Sequence, residues 1–212
     1  PGYSESLGFA KKPKPGQIFD TPVIEFFTKL ESSDRFLVNS EAKEIAGLND
    51  EEYSLLKEIT LDAAEKLRGI FRKMNLDLWD GKFEFAFTEG EKDGIRSFQM
   101  VDSIGPDEMR ILSSSGVHLS KEILRRVYRD TDWFENLEKA KTLGKQRKVS
   151  DWKKICIDEL RSRPAPLAAD VKKAMAAMYP ALANELSFQS GGKKIFAEAP
   201  ALKTVIQSLQ DF

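Results

Sequence analysis

Apolar residues recur at spacings of three and four through "DEEYSLLKEITLDAAEKLRGIFRKM", where Leu55, Leu56, Ile59, Ala63, Leu67 and Ile70 fall on one face. That period predicts a long amphipathic helix, with Asn49 or Asp50 able to cap its start. The period then switches to two. In "MNLDLWDGKFEFAF", Trp79, Phe83, Phe85 and Phe87 alternate with Asp80, Lys82 and Glu84. This predicts a strand over 76–87 with an apolar face toward a core and a three-charge face on the other side. "TEGEKDG" reads as a turn, and "IRSFQMVDSI" as a second strand over 96–104 that closes a β-hairpin. Gly105 and Pro106 cannot continue a central strand, so "GPDEMRIL" is expected to leave the sheet in a turn. From Ser120 the pattern is helical, through "SKEILRRVYRD", "DWFENLEKAKTLGKQRK" and "SDWKKICIDELRSR". After Pro164 and Pro166 it resumes in "LAADVKKAMAAMYPALANEL". The fold class is α+β: an antiparallel sheet, a long packed helix and C-terminal helices.

Residues 1–22 read as an irregular connector, with Pro13 and Pro15 flanking Lys14. Residues 23–186 form the expected main domain. Residues 187–212 form a C-terminal extension, in which "APALKTVIQSLQDF" suits a short amphipathic helix beyond Gly191 and Gly192. The chain begins at Pro1 without an initiating methionine, and is expected to be the later part of a longer protein. No internal repeat or low-complexity tract is visible.

Composition narrows the chemistry. The 212 residues are 41% hydrophobic and 32% charged, ordinary for a soluble globular protein. Lys+Arg 33 against Asp+Glu 34 leaves a net charge of -1, so no overall bias marks a nucleic-acid or membrane-surface partner. Any anion site must be local. Cys156 is the only cysteine, which excludes an internal disulfide or a cysteine-rich zinc site and fits a reducing cytoplasm. His118 is the only histidine, so a His-based metal cluster is excluded. No run approaches the ~20 apolar residues of a membrane span.

The three-charge face of Asp80, Lys82 and Glu84 is either a wet outer surface or the floor of a cleft. Asp102 in the second strand could pair beside Glu84. Two adjacent carboxylates cost energy unless a cation lies between them, which makes Glu84 and Asp102 a magnesium candidate. Since Phe98 and Met100 share the parity of Asp102, a bulge or a strand end is required for Asp102 alone to face the cleft. Arg110 can hold a phosphate by paired hydrogen bonds, against the alternative of a solvated arginine. Asp107 can fix the turn. Asp34, in a polar loop, can orient an amine or accept its proton. His118 reads as a loop or helix-entry residue rather than a general base. "SSSG" lacks the spacing of a phosphate loop, and "KTLGKQRK" reads as a wet helix end.

Taken in order, "IFDTPVIEFFTKLESSDRFLVNSEA", the long helix, "LDLWDGKFEFAF", "VDSIGPDEMRI" and "LSKEILRR" resemble the phosphoribosylaminoimidazole-succinocarboxamide (SAICAR) synthase family. "RPAPLAADVKKAMAAMYPAL" is similar to that family's closing helix. The likeness runs to about residue 186. It implies a ligase of purine biosynthesis that joins L-aspartate to carboxyaminoimidazole ribonucleotide (CAIR), with ATP and Mg2+ as cofactors. It also implies an acyl-phosphate intermediate, because a free carboxylate is a poor acyl donor. By position, Glu84 and Asp102 match the magnesium and nucleotide carboxylates, and Lys82 matches a lysine facing the anionic reactants. Asp80 matches the opening aspartate of the motif. Arg110 matches an arginine near the substrate, with Asp107 supporting its loop, and Asp34 matches an acid near the aspartate amine. Ser4 or Ser6 stands where the family contacts the ribonucleotide, and either Asp130 or Asp132 matches a later acid near the substrate.

The departures are Ser103 where many members have Glu after the aspartate, and Gly105 where they have Thr or Ser. The family's N-terminal nucleotide-binding lobe has no counterpart, so the likeness implies an incomplete enzyme whose partner is that lobe. The oligomeric state stays open, homo-oligomers included. Two rival readings exist: an inositol-phosphate-type kinase, which also sets Asp-x-Lys on a strand, and a non-catalytic interaction module on the same scaffold.

Overall fold

A computed structural model describes residues 3–14, 16–31, 34–92, 94–210 and 212, apart from the side chain of Lys92. The chain divides into two compact units, Pro1–Gly69 with Phe83–Ser103, and Ile70–Lys82 with Ile104–Phe212.

In the first unit, α1 (Tyr3–Ser6) precedes two short strands, β1 (Phe26–Phe27) and β2 (Phe36–Leu37), which pair antiparallel. Helix α2 (Asn39–Ala46) ends where Gly47 turns left-handed at φ 61°, a conformation that costs glycine little. The long helix α3 (Asp50–Lys73) starts as its spacing predicts. Asn49 and Glu52 form a capping box: the Glu52 N–H donates to Asn49 Oδ1 at 2.8 Å, and the Asn49 N–H donates to Glu52 Oε2 at 3.1 Å. Strands β4 (Phe85–Lys92) and β5 (Ile95–Met100) form the expected hairpin, but Thr88–Lys92 of the expected turn belong to β4, with an irregularity between Phe87 and Glu91. Leu37 and Ala42 are buried here, but so is the Glu52 carboxylate, at 1% exposure. Arg96 makes that burial tolerable: its Nε reaches Glu52 Oε1 and its Nη2 reaches Oε2, each at 2.7 Å. The same guanidinium lies over the Phe87 ring, 3.6 Å from its centre.

In the second unit, β3 (Leu76–Gly81) pairs antiparallel with β6 (Met109–Ser113), which follows a 3₁₀ turn at Pro106–Glu108. Then come α4 (Glu122–Arg129), α5 (Asp132–Arg147) and α6 (Trp152–Lys154), which widens into a π turn over Ile155–Glu159. Helices α7 (Ala169–Gly191) and α8 (Leu202–Leu209) complete it. Leu76, Ile111, Leu119, Met178, Leu182, Val205 and Leu209 are almost fully buried and form the core. Asn184 ties the segment after α7 back onto that helix, accepting from the Ile195 and Phe196 N–H groups and donating to Phe196 O.

The α+β class stands, but the sheet differs from expectation. The described strands form three separate antiparallel pairs, not one sheet. The run 76–87 is not one strand. Its register shifts between Leu78 and Asp80, pairing ends at Gly81, and residues 82–84 belong to no strand. The alternation is therefore lost: Trp79 is 63% exposed and Phe87 37%, so the aromatic positions do not form one buried face. "MRIL", expected in a turn, is part of strand β6, buried at every position but Arg110. The second strand stops at Met100, so Asp102 lies beyond a strand end, one of the two arrangements its parity required. Among the described residues no helix is long and apolar enough to cross a membrane.

Candidate functional site

In the second unit, β-pairing places Asp80 directly opposite Arg110. Arg110 Nη1 donates to Asp80 Oδ2 at 2.9 Å, and both side chains remain about half exposed. Partial burial pushes the Asp80 carboxyl above its ordinary range, and Glu122 adds to that push; Arg110 and His118 oppose it. Asp80 is thus a half-exposed carboxyl paired with Arg110. Beyond Gly81, the Lys82 N–H donates to Glu108 O at 2.9 Å, which brings the strand end against the 3₁₀ turn. The Lys82 ammonium lies 3.9 Å from Glu108, and that carboxylate also takes Lys121 at 3.7 Å.

Asp107 is more firmly engaged than its sequence context suggests. Its Oδ1 accepts from the Tyr179 hydroxyl at 2.7 Å and from the Lys121 N–H at 3.1 Å. Asp107 thus fastens the turn before Arg110 to α7 and to the start of α4. Burial, reinforced by the bond to Asp107, raises the Tyr179 phenol well above its ordinary range, so it stays a donor.

In the first unit, Glu84 and Asp102 sit at neighbouring ends of the hairpin, where the Val101 N–H donates to Glu84 O at 2.9 Å. Glu84 is ion-paired with Lys29, and Asp102 Oδ1 accepts the Ser103 N–H at 2.8 Å. Asp34 is exposed in the β1–β2 connection. Ser6 Oγ donates to Tyr3 O at 2.7 Å, and Ser4 O accepts the Phe9 N–H, so both serines help to shape α1. Asp132 is exposed in the first turn of α5, where the helix dipole favours an acid, and Asp130 follows the end of α4.

The expected residues are thus gathered as two sets, Asp80, Lys82, Asp107 and Arg110 in one unit and Glu84 with Asp102 in the other. Asp34, Ser4, Ser6 and Asp132 belong to other segments: the β1–β2 connection, α1 and the first turn of α5. Sequence reasoning missed Lys29, Glu108, Lys121 and Tyr179. Lys29, Glu108 and Lys121 carried a signal, as charges inside family-like motifs, and Tyr179 lies in the stretch similar to the family's closing helix.

Among the described residues no group of three or more His, Cys, Asp or Glu could hold a metal ion. Two carboxylates are nevertheless the donor set Mg2+ accepts when substrate phosphates and water supply the rest. Glu84 already holds a cationic group, the Lys29 ammonium, where such an ion would bind.

The SAICAR synthetase family model matches residues 6–140. The chain belongs to the SAICAR synthetase family. It is similar to a putative phosphoribosylaminoimidazole-succinocarboxamide synthase of Archaeoglobus fulgidus, 37% identical over 208 residues, 98% of this chain and 56% of that protein. The corresponding synthase of Streptococcus pyogenes is 34% identical over 112 residues, 52% of this chain and 46% of that one. The chain therefore spans about half the length of these relatives. A crystal structure of the Ehrlichia chaffeensis synthase is also similar, at 22% identity and a TM-score of 0.48, covering 77% of this chain and 60% of that one.

Proposed function

We propose that the protein carrying this chain joins L-aspartate to CAIR, converting ATP to ADP and phosphate. Family membership across residues 6–140 is the observation that carries this reading. The paired charges on β3 and β6 supply its chemical sense. A carboxylate attacks the γ-phosphorus of ATP, and its oxygen forms the new P–O bond as ADP leaves. The aspartate amine then attacks the acyl carbon, loses a proton and expels phosphate. Such transfers depend chiefly on positioning and charge neutralisation.

Arg110 takes the ribonucleotide phosphate by a two-pronged guanidinium contact, and Asp80 holds the guanidinium in its plane. Lys82 faces the anionic reactants. Asp107, locked by Tyr179, keeps the turn before Arg110 in place. Glu84 and Asp102 would hold Mg2+, which when bound would neutralise charge on the ATP phosphates. Asp34 lies toward the aspartate amine, Ser4 or Ser6 toward the ribonucleotide, and Asp132 supplies the later acid. The remaining partner is a nucleotide-binding lobe. The reaction takes place in the cytoplasm.

The test is ADP release by the protein at the full length of its relatives, given Mg-ATP with CAIR, L-aspartate, or both. Release that requires both substrates is expected. Release from either alone at the same rate, or none at all, overturns the ligase reading; a kinase would consume ATP without L-aspartate.

A further inference from the structure

The two halves of the Lys29–Glu84 ion pair, both in the first unit, sit in unlike surroundings. The Glu84 side chain is 17% exposed and the Lys29 side chain 62%. A carboxylate drawn out of water needs a counter-charge beside it, whereas a solvated ammonium gives up little on leaving. The pair is therefore asymmetric, because Glu84 depends on a cation while Lys29 does not depend on Glu84.

Both ends are rooted in bonded backbone. Thr28, buried next to Lys29, donates its N–H to Arg35 O at 2.9 Å, and its Oγ1 accepts the Arg35 N–H at 3.1 Å. The carbonyl of Glu84 accepts the Val101 N–H at 2.9 Å, which fixes Glu84 beside the strand end that carries Asp102. The flexible four-carbon stem of Lys29 spans from one root to the other, so its ammonium can leave Glu84 without either backbone segment moving.

From this asymmetry we infer that Lys29 is a built-in competitor of the metal: its ammonium neutralises Glu84 until a divalent cation takes its place, and it thereby weakens the site for the bare ion. The inference rests on the proposed magnesium role of Glu84 and Asp102. Its consequence is an order of filling. A bare ion meets a carboxylate that is already neutralised, whereas an ion arriving with nucleotide phosphates brings oxygen ligands of its own. Arg35 supplies the control, since it carries the same charge in the same β1–β2 connection but pairs with Glu31 and Glu41.

The 212-residue chain is titrated with MgCl2 at constant ionic strength and without nucleotide, following the Lys29 and Glu84 amide resonances by NMR. The full amide spectrum of each variant checks that it is folded. A saturable shift is expected. Glu84→Gln should weaken it about tenfold or more, since even a group behind the metal ligands is worth that much. Lys29→Gln should tighten Mg2+ binding about two- to fivefold, the range of an ion pair with one exposed partner. Lys29→Arg, which keeps the charge, should not tighten it, and Arg35→Gln should leave it within a factor of about 1.5. Affinity that falls with Glu84→Gln but is unchanged or weaker in Lys29→Gln overturns this inference and leaves the magnesium assignment standing. Equal tightening in Arg35→Gln overturns it as well, because the effect is then one of net charge. No saturable shift, or one indifferent to Glu84→Gln, overturns both.

Discussion

Removing the Tyr179 hydroxyl tests whether α7 fixes the turn that leads to Arg110. The bond to Asp107 is 2.7 Å long and joins a neutral donor to a carboxylate, the short, charge-assisted kind. Hydrogen bonds to charged groups are worth about 1.5–3 kcal/mol. Tyr179 is only partly buried and Asp107 keeps a second donor in the Lys121 N–H, so the lower part of that range, about 1.5–2 kcal/mol, applies. With a urea dependence of about 2 kcal/mol per molar, Tyr179→Phe should lower the unfolding midpoint by roughly 0.8–1 M. The assay is a double-mutant cycle of Tyr179→Phe and Asp107→Asn, followed by far-UV circular dichroism. Coupling above about 1 kcal/mol is expected. Coupling within the ~0.3–0.5 kcal/mol typical of independent sites would refute the clamp.

Three further outcomes follow from other parts of the molecule. A methyl group at Gly69 meets nothing within 4 Å, whereas one at Gly144 would lie 2.9 Å from Trp152 Cβ and 3.1 Å from Val149 O. Gly69→Ala should therefore stabilise by about 0.5–1 kcal/mol and Gly144→Ala should destabilise by about 1–2 kcal/mol; thermal melts shifting in the same direction would contradict this. The hydrogen bonds from Arg96 hold the Glu52 carboxyl at about 2, against an ordinary 4.5, despite the opposing effect of burial. Its stabilisation is thus fully present above pH 4.5 and lost as pH falls through about 2. Glu52→Gln should flatten the urea midpoint between pH 5 and 2, and profiles parallel to wild type would count against the assignment. Arg110→Lys keeps the charge but loses the planar fork. It should raise the KM for the ribonucleotide about tenfold with little change in the KM for ATP, and an unchanged ribonucleotide KM would remove Arg110 from that role.

The parts of the fold legible in sequence are those fixed by local interactions. Helix α3 announced itself because its apolar spacing and its Asn49 cap lie in one continuous stretch. The β4–β5 hairpin did so because a glycine-containing turn separates two β-rich runs. The break after Gly81 was not legible. A bulge between Leu78 and Asp80 leaves no mark on the alternation of residue types, and β6 is too short to be told from a turn. Contacts between distant residues were equally hidden: Tyr179 reaches Asp107 across 72 positions, and Arg96 reaches Glu52 across 44. At the candidate site, motif spacing supplied the residue types, while cross-strand register alone paired Asp80 with Arg110. The buried His118 gave no signal, because a single histidine after "SSSG" has no period to place it on.

The central claim is that a carboxylate of the ribonucleotide is activated as an acyl phosphate before aspartate captures it. The direct measurement is a single turnover of the full-length protein with CAIR labelled with ¹⁸O in its carboxylate, followed by mass analysis of the phosphate released. One labelled oxygen transferred to phosphate for each amide formed is the predicted result. Unlabelled phosphate accompanying amide formation would contradict the account.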